Sequence, residues 1–135
     1  IKHNNIDLIR SPAMGGIVAG YEIGKLLVVE TIFSERVDGV FQLRRDFNIR
    51  KGSKVLIVED VITTGKSSIE CSKLVTSSSA LIVGYACIID RSNGKSDIKS
   101  KIVSQIRLNI PTYKKDELPQ ELISIKPVKP GSRSL

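Results

Sequence analysis

The stretch from Val55 to Ser67, VLIVEDVITTGKS, constrains the fold more than any other part of the chain. Val55, Leu56, Ile57 and Val58 form an apolar run too short for a helix and suited to a strand buried on both faces, as in a parallel sheet. Two acids, Glu59 and Asp60, stand at the carboxyl end of that strand. Thr63, Thr64 and Gly65 then form a tight loop, and Lys66, Ser67 and Ser68 open a helix. In an open α/β sheet ligands settle beyond the carboxyl ends of the strands, and a tight loop at a helix N-terminus turns several backbone N–H groups toward an anion. Carboxylates beside such a loop repel phosphate, yet they accept hydrogen bonds from vicinal hydroxyls and help to hold Mg²⁺ directly or through water. A phosphorylated sugar satisfies both halves. Gly65-Lys66-Ser67 ends like the nucleotide-kinase loop G-x-x-x-x-G-K-[ST], but the first glycine of that loop falls at position 60, which is Asp60. The plainer alternative is an ordinary strand-to-helix turn with Thr63 or Thr64 as N-cap and the acids merely solvated.

A second unit of the same kind lies near the N-terminus. Ile6 to Ile9 reads as a short strand, Ser11-Pro12-Ala13-Met14-Gly15-Gly16 as a loop, and Ile17 to Leu27 as a helix. Two strand-loop-helix units predict a parallel sheet with two ligand loops at one edge. Leu27 to Phe33 reads as another strand. Ser34 to Arg45 follows as a hairpin turning at Asp38-Gly39, with Arg36, Arg44 and Arg45 as cations whose guanidinium forks match phosphate oxygens. A solvated basic hairpin that protects a sheet edge is the bland reading of the same residues. Asn48 to Ser53 turns around Lys51-Gly52, and Cys71, Leu74, Val75 and Ser78 lay a small stripe along the helix after the central loop. Leu81 to Ile89 is a buried strand ending at Asp90-Arg91. An arginine there is placed to grip a planar carboxylate, unless it pairs with Asp90 at the surface. Ile102 to Ile110 reads as a last strand, and the proline-punctuated segment from Pro111 onward as extended chain.

The 135 residues suit one domain, and with 4% aromatics and no Trp its core must be built from Ile, Val, Leu and Ala. Twenty-one Lys and Arg against fourteen Asp and Glu give a net charge of +7, which favours anionic ligands. The basic clusters at Arg44, Arg45, Arg50, Lys51, Lys99 and Lys101 lack the interleaved aromatics that stack bases, which argues against nucleic acid. Cys71 and Cys87 have neither metal-ligand spacing nor a disulfide-rich setting, and the single His3 builds no metal cluster, so no metal is expected on protein ligands alone. No apolar run reaches membrane-spanning length, and the opening IKHNN is no signal sequence, so a soluble cytoplasmic protein is expected. The absence of an initiating Met, with a strand beginning almost at once, points to a preceding segment.

The Val55 to Ser67 stretch resembles the phosphoribosyl pyrophosphate (PRPP) motif of type I phosphoribosyltransferases: an apolar strand, two acids, two spacers, then Thr-Thr-Gly. The Asp90-Arg91 pair and the Pro-Thr-Tyr and Lys-Pro-Gly-Ser-Arg segments of the tail narrow the resemblance to orotate phosphoribosyltransferases. It implies an open, mainly parallel sheet flanked by helices, with a core over residues 1–110, a hairpin lid over about 34–47, and an extended tail over 111–135 packed on the core. Glu59, Asp60, Val61, Ile62, Thr63, Thr64, Gly65, Lys66 and Ser67 would then bind PRPP, with Asp60 and the lid residues Arg44 and Arg45 in catalytic roles. Ala13, Met14, Gly15 and Gly16 would face pyrophosphate, and Thr63 and Arg91 would hold orotate. The resemblance further implies Mg²⁺ held mainly through PRPP, PRPP and orotate as substrates, and a homodimer. The sequence departs from the family at Gly15, where several members carry Lys, at the lid, which lacks Lys and His, and at the beginning, where members carry an N-terminal hood over the base. A protein of this fold that binds PRPP or nucleic acid without efficient turnover is the competing expectation.

Overall fold

A computed structural model describes residues 6–114, 116–126 and 128. The chain forms β1 (Leu8–Pro12), α1 (Gly16–Leu27), β2 (Glu30–Val37), β3 (Val40–Gln42), β4 (Lys54–Ile62), α2 (Lys66–Ser77), β5 (Leu81–Asp90), β6 (Ile102–Arg107) and a short α3 (Gln120–Ile123). The six strands make one sheet in the order β3-β2-β1-β4-β5-β6. All pairs are parallel except β2 with β3. The expected α/β fold with an open, mainly parallel sheet and a hairpin is therefore present.

The two crossovers leave in opposite directions. Helix α1 carries the chain from β1 outward to β2, whereas α2 carries it from β4 outward to β5. Since such crossovers are right-handed, the helices fall on opposite faces of the sheet. Strand alternation divides the core accordingly. Ile9, Leu56, Val58 and Ala86 pack under Ala19 and Ile23 of α1. On the other face, Ile57, Ile62, Tyr85 and Cys87 meet Cys71 of α2, and Leu8, Ile32 and Val55 meet its Val75. The carboxyl ends of β1 and β4 lie side by side where the direction reverses, which opens a crevice between the loops that follow them.

Several boundaries differ from the sequence expectation, for tertiary reasons. Strand β4 does not stop at the acids but runs on to Ile62, because its pairing with β5 continues through Glu59 with Cys87, Val61 with Ile89 and Ile62 with Asp90. Leu27 closes α1 instead of opening a strand, and β2 begins at Glu30 after a left-handed C-cap at Val28. Strand β5 is not buried on both faces: Leu81, Val83 and Ile88 are exposed, since the α1 face has no helix over the β5 and β6 side. The last strand ends at Arg107, short of Ile110. In the tail, the described residues from Asn109 onward are exposed except Pro119, and α3 interrupts the extended path. The segment from Pro127 to Arg133, apart from Val128, lies outside the described residues.

Helix α1 sits close to the sheet because its inward positions are Gly16, Gly20 and Gly24, all buried. A Cβ at Gly24 would overlap the Thr31 hydroxyl and come within 3.1 Å of the Val29 carbonyl oxygen. Alanine is the better helix former by about 1 kcal/mol, but overpacking against backbone costs about 1–3 kcal/mol. Gly24→Ala should therefore lower the urea unfolding free energy; an increase would contradict this packing.

Candidate active site

Two loops and two acids meet at the crevice. The loop after β4 enters α2 through Gly65, the N-cap residue, at φ +81°. That left-handed conformation suits glycine. The cap residue makes no side-chain hydrogen bond and no acid lies in the first turn, so among the described residues the N–H groups after Lys66 in that turn have no side-chain acceptor. Thr64, not the cap residue, lends its Oγ1 to the Lys66 N–H at 3.3 Å. Glu59, Val61, Ile62, Thr63, Thr64, Gly65, Lys66, Ser67 and Ser68 enclose a pocket of about 160 Å³, room for a single phosphoryl group. A larger cavity of about 610 Å³ lies on the α1 face of the sheet. Ile23, Leu56, Val58 and Val103 make its walls mainly apolar, without the convergent amides that an anion needs.

Glu59 and Asp60 project to opposite sides of β4, as successive strand residues do. Glu59 lies on the α2 side, where its Oε2 accepts a hydrogen bond from Ser68 Oγ at 3.0 Å. Burial pushes its pKa up to about 7; the Ser68 hydrogen bond opposes this and the Asp60 charge adds to it. Asp60 lies on the α1 side against the first loop. A Cβ at Gly15 would overlap its carboxylate, so glycine there lets the two segments touch. Asp60 Oδ1 also accepts the Val61 N–H at 2.8 Å. The acids thus bridge the two loops, Glu59 lining the phosphate-sized pocket and Asp60 meeting the turn at Ala13 to Gly16.

That turn holds its own shape. The Ala13 N–H donates to the Ser34 carbonyl at 2.8 Å, the Ala13–Met14 peptide is cis, and the Met14 side chain is exposed. Across the crevice, the Arg91 N–H donates to the Ile62 carbonyl at 2.8 Å, which places Arg91 next to Thr63. Arg91 does not pair with Asp90. The Asp90 carboxylate accepts the Ser92 N–H at 2.9 Å and stands 3.8 Å from Arg107, while Arg91 Nε is buried with no hydrogen-bond partner among the described residues.

The hairpin forms as expected around Asp38-Gly39, both with positive φ, and pairs Arg36 with Phe41. It is anchored as well as exposed. Phe41 is buried in the α2-side core, and Arg36 lies 4.1 Å above its ring while pairing with Glu70 of α2. Arg45 and Arg44 flank Glu35 at 3.0 and 3.9 Å, with both guanidinium groups largely in solvent. The structure therefore brings Glu59 and Thr63 to Ser67 together, sets Asp60 and Ala13 to Gly16 opposite them, and holds Arg44 and Arg45 on Glu35 of the hairpin. Sequence reading missed Ser68 as the partner of Glu59; its signal is the spacing of nine residues that carries a helix's first turn back over the strand end.

A parallel sheet with a reversal between β1 and β4, and a small pocket and a pair of acids at its strand ends, define the class: an open α/β protein whose candidate site lies at the carboxyl edge of the sheet. The phosphoribosyl transferase domain family model matches residues 2–116, and the chain belongs to that family. Curated relatives that it matches include orotate phosphoribosyltransferases. That of Rhizorhabdus wittichii is 49% identical over 124 residues, covering 92% of this chain and 63% of that protein. That of Methylorubrum populi is 48% identical over 135 residues, covering 99% and 69%. The chain thus spans about two thirds of the length of these relatives. Among solved structures, the adenine phosphoribosyltransferase of Thermoanaerobacter pseudethanolicus matches with a TM-score of 0.67 at 21% identity, covering 76% of this chain and 70% of that one. The orotate phosphoribosyltransferase of Aeropyrum pernix matches with a TM-score of 0.63 at 21% identity, covering 76% and 61%. Both likenesses establish the fold.

The Glu59 environment has a measurable consequence. Its pKa in the fold, about 7, is above its ordinary value of 4.5, so the folded state binds the proton more tightly than the unfolded chain. The stabilisation from this group is full below pH about 4.5 and is lost as pH rises through about 7. Relative to Glu59→Gln, the native protein should lose on the order of 1 kcal/mol of unfolding free energy across that window once solvent screening is allowed for. Parallel pH curves for the two proteins would contradict the raised pKa.

Proposed function

We propose that the chain transfers the phosphoribosyl group of PRPP to N1 of orotate, forming orotidine 5′-monophosphate and pyrophosphate, a step of pyrimidine synthesis. One observation carries this reading: Glu59 lines the same phosphate-sized pocket as the amides at the start of α2, which suits one ligand that presents both a phosphoryl group and hydroxyls. The N–H groups from Gly65 to Ser68 bind the 5′-phosphate, and Glu59 and Asp60 take the ribose hydroxyls. The Ala13 to Gly16 loop faces the pyrophosphate, with Met14, Gly15 and Gly16 offering the backbone donors since the Ala13 N–H is held by Ser34, and Arg44 and Arg45 neutralise charge as it leaves, exchanging Glu35 for phosphate oxygens. Thr63 and Arg91 orient orotate, Arg91 presenting its guanidinium to the carboxylate. The bond from ribose C1 to pyrophosphate breaks as the bond from N1 forms, through a centre of oxocarbenium character, and the N1 proton passes to the departing pyrophosphate or to water. Catalysis is then mainly a matter of positioning and charge, with no covalent nucleophile.

The residues present fit Mg²⁺ brought in with PRPP. The Asp60 carboxylate, set against Gly15 at the crevice, could offer an oxygen, and among the described residues no three His, Cys, Asp or Glu side chains gather, so the ion would take most of its oxygens from the ligand. Bound in this way, it screens the phosphoryl charges that the acids would otherwise repel. Free, buried Cys71 and Cys87 agree with a reducing cytoplasm, and among the described residues no helix is long and apolar enough to cross a membrane. Exposed Val18, Tyr21, Leu26 and Val28 on and beside α1 support a homodimer.

Calorimetric titration with PRPP and Mg²⁺, beside an assay of orotate consumption, tests the reading. Binding with turnover is expected; binding without turnover identifies a PRPP-binding protein that has lost catalysis, and absence of both refutes the proposal. Loss of a charge-assisted contact costs about 1.5–3 kcal/mol, so Arg91→Ala should raise the orotate KM by roughly 10- to 100-fold with a smaller change in kcat. An unchanged KM would remove Arg91 from the base site.

A further inference from the structure

The segment between β5 and β6 is fastened to the phosphate cradle from behind. Near its start, the Arg91 N–H is bonded to the Ile62 carbonyl; further along, the Asp97 N–H donates to the Thr64 carbonyl at 3.0 Å. The next residue, Ile98, is 8% exposed and packs with Ile57, Ile62, Cys71 and Tyr85, so the core fixes its position. It also closes the space behind Gly65. A Cβ at Gly65 would stand 2.8 Å from Ile98 Cγ1 and 2.9 Å from its Cδ1. Gly65 is the cradle's least constrained residue by its own chemistry, since glycine crosses φ/ψ space freely. Two contacts from outside the loop hold it at φ +81° together with its own helical hydrogen bond from the Ile69 N–H: the Asp97 amide on the Thr64 carbonyl and the Ile98 side chain against Gly65.

We propose that Ile98, with the Asp97 amide, is a positioning residue for the phosphate cradle, setting the direction of the N–H groups that follow Gly65. The assignment of PRPP as ligand rests on the function proposed above; the mechanical tie does not. Truncating Ile98 leaves a void behind Gly65 into which the 64–65 peptide turns, and the amides of the first helical turn no longer converge. Misplacement of a binding group by about 1 Å is enough to cost orders of magnitude in a positioned reaction. The loss therefore falls on the phosphate half of the site, although Ile98 touches no substrate.

The test compares native protein, Ile98→Ala, Ile98→Val and a control, Ile49→Ala, which opens a similar void in the adjoining cluster of Leu8, Ile32 and Val55, away from Gly65. Calorimetry with PRPP and Mg²⁺ should show at least a tenfold weaker Kd, by about the scale of a displaced group, for Ile98→Ala and native affinity for Ile49→Ala. In the ligand-free proteins, the ¹⁵N order parameter of Gly65 should fall from about 0.85 to below about 0.6 in Ile98→Ala alone. Ile98→Val should be intermediate in both and preserves the comparison if the alanine variant does not fold. Native affinity and a rigid Gly65 in Ile98→Ala would overturn the inference. If the native protein binds no PRPP, the proposed function fails, and the order parameter still decides the tie: a loosened Gly65 supports it and a rigid one refutes it.

Discussion

Parallel pairing of β1 with β4, with their crossovers leaving in opposite directions, is the constraint on which the rest depends. It puts the loops after two different strands side by side at one edge of the sheet, and it puts α1 and α2 on opposite faces. Because residues alternate along β4, the acids at 59 and 60 are then delivered one to each side. Glu59 goes to the α2 loop and Asp60 to the α1 loop. A single strand end thereby serves two loops that are 47 or more residues apart in sequence, counting from Gly16 to Thr63.

The cost of that arrangement is visible in Glu59. A carboxyl buried between strand and helix prefers its proton, and burial outweighs the Ser68 hydrogen bond that favours the charged form. Near neutral pH it is divided between acid and carboxylate, able to donate to or accept from a hydroxyl. Asp60, also half-buried, packs its carboxylate against Gly15 of the other loop. The two acids of the motif thus have different surroundings, Glu59 bonded to the start of α2 and Asp60 set against the first loop. Arg10 shows the same physics without a compensating partner. It is fully buried on β1, its guanidinium nitrogens find no acceptor among the described residues, and burial pulls its pKa down while the neighbouring Cys71 opposes this.

Much of the fold was legible because its signals are local. The apolar run at Val55 to Val58, the glycine turns at Gly39, Gly52 and Gly65, and the stripe of Cys71 and Val75 each declare themselves within a few residues, and each appears in the structure. What could not be read depends on partners distant in sequence. Strand β4 continues past its acids because β5 is beside it, and β5 is half exposed because among the described residues α1 reaches little of it beyond Ala86. The same holds at the site. The loop from Thr63 to Ser67 was evident, whereas the roles of Ser68 toward Glu59, Gly15 toward Asp60 and Ile98 toward Gly65 arise only when the chain folds back. Buried Arg10 broke the pattern of an apolar strand and carried no signal of where it would lie.

The central claim is that the two loops and two acids act on one ligand. Backbone amide chemical-shift mapping of the protein titrated with PRPP and Mg²⁺ tests it most directly. The account predicts that signals from Gly65 to Ser68 and from Ala13 to Gly16 move together, at one ligand concentration dependence, with Glu59 and Asp60 among them. Shifts confined to one loop, or to the apolar cavity beside α1, would contradict it.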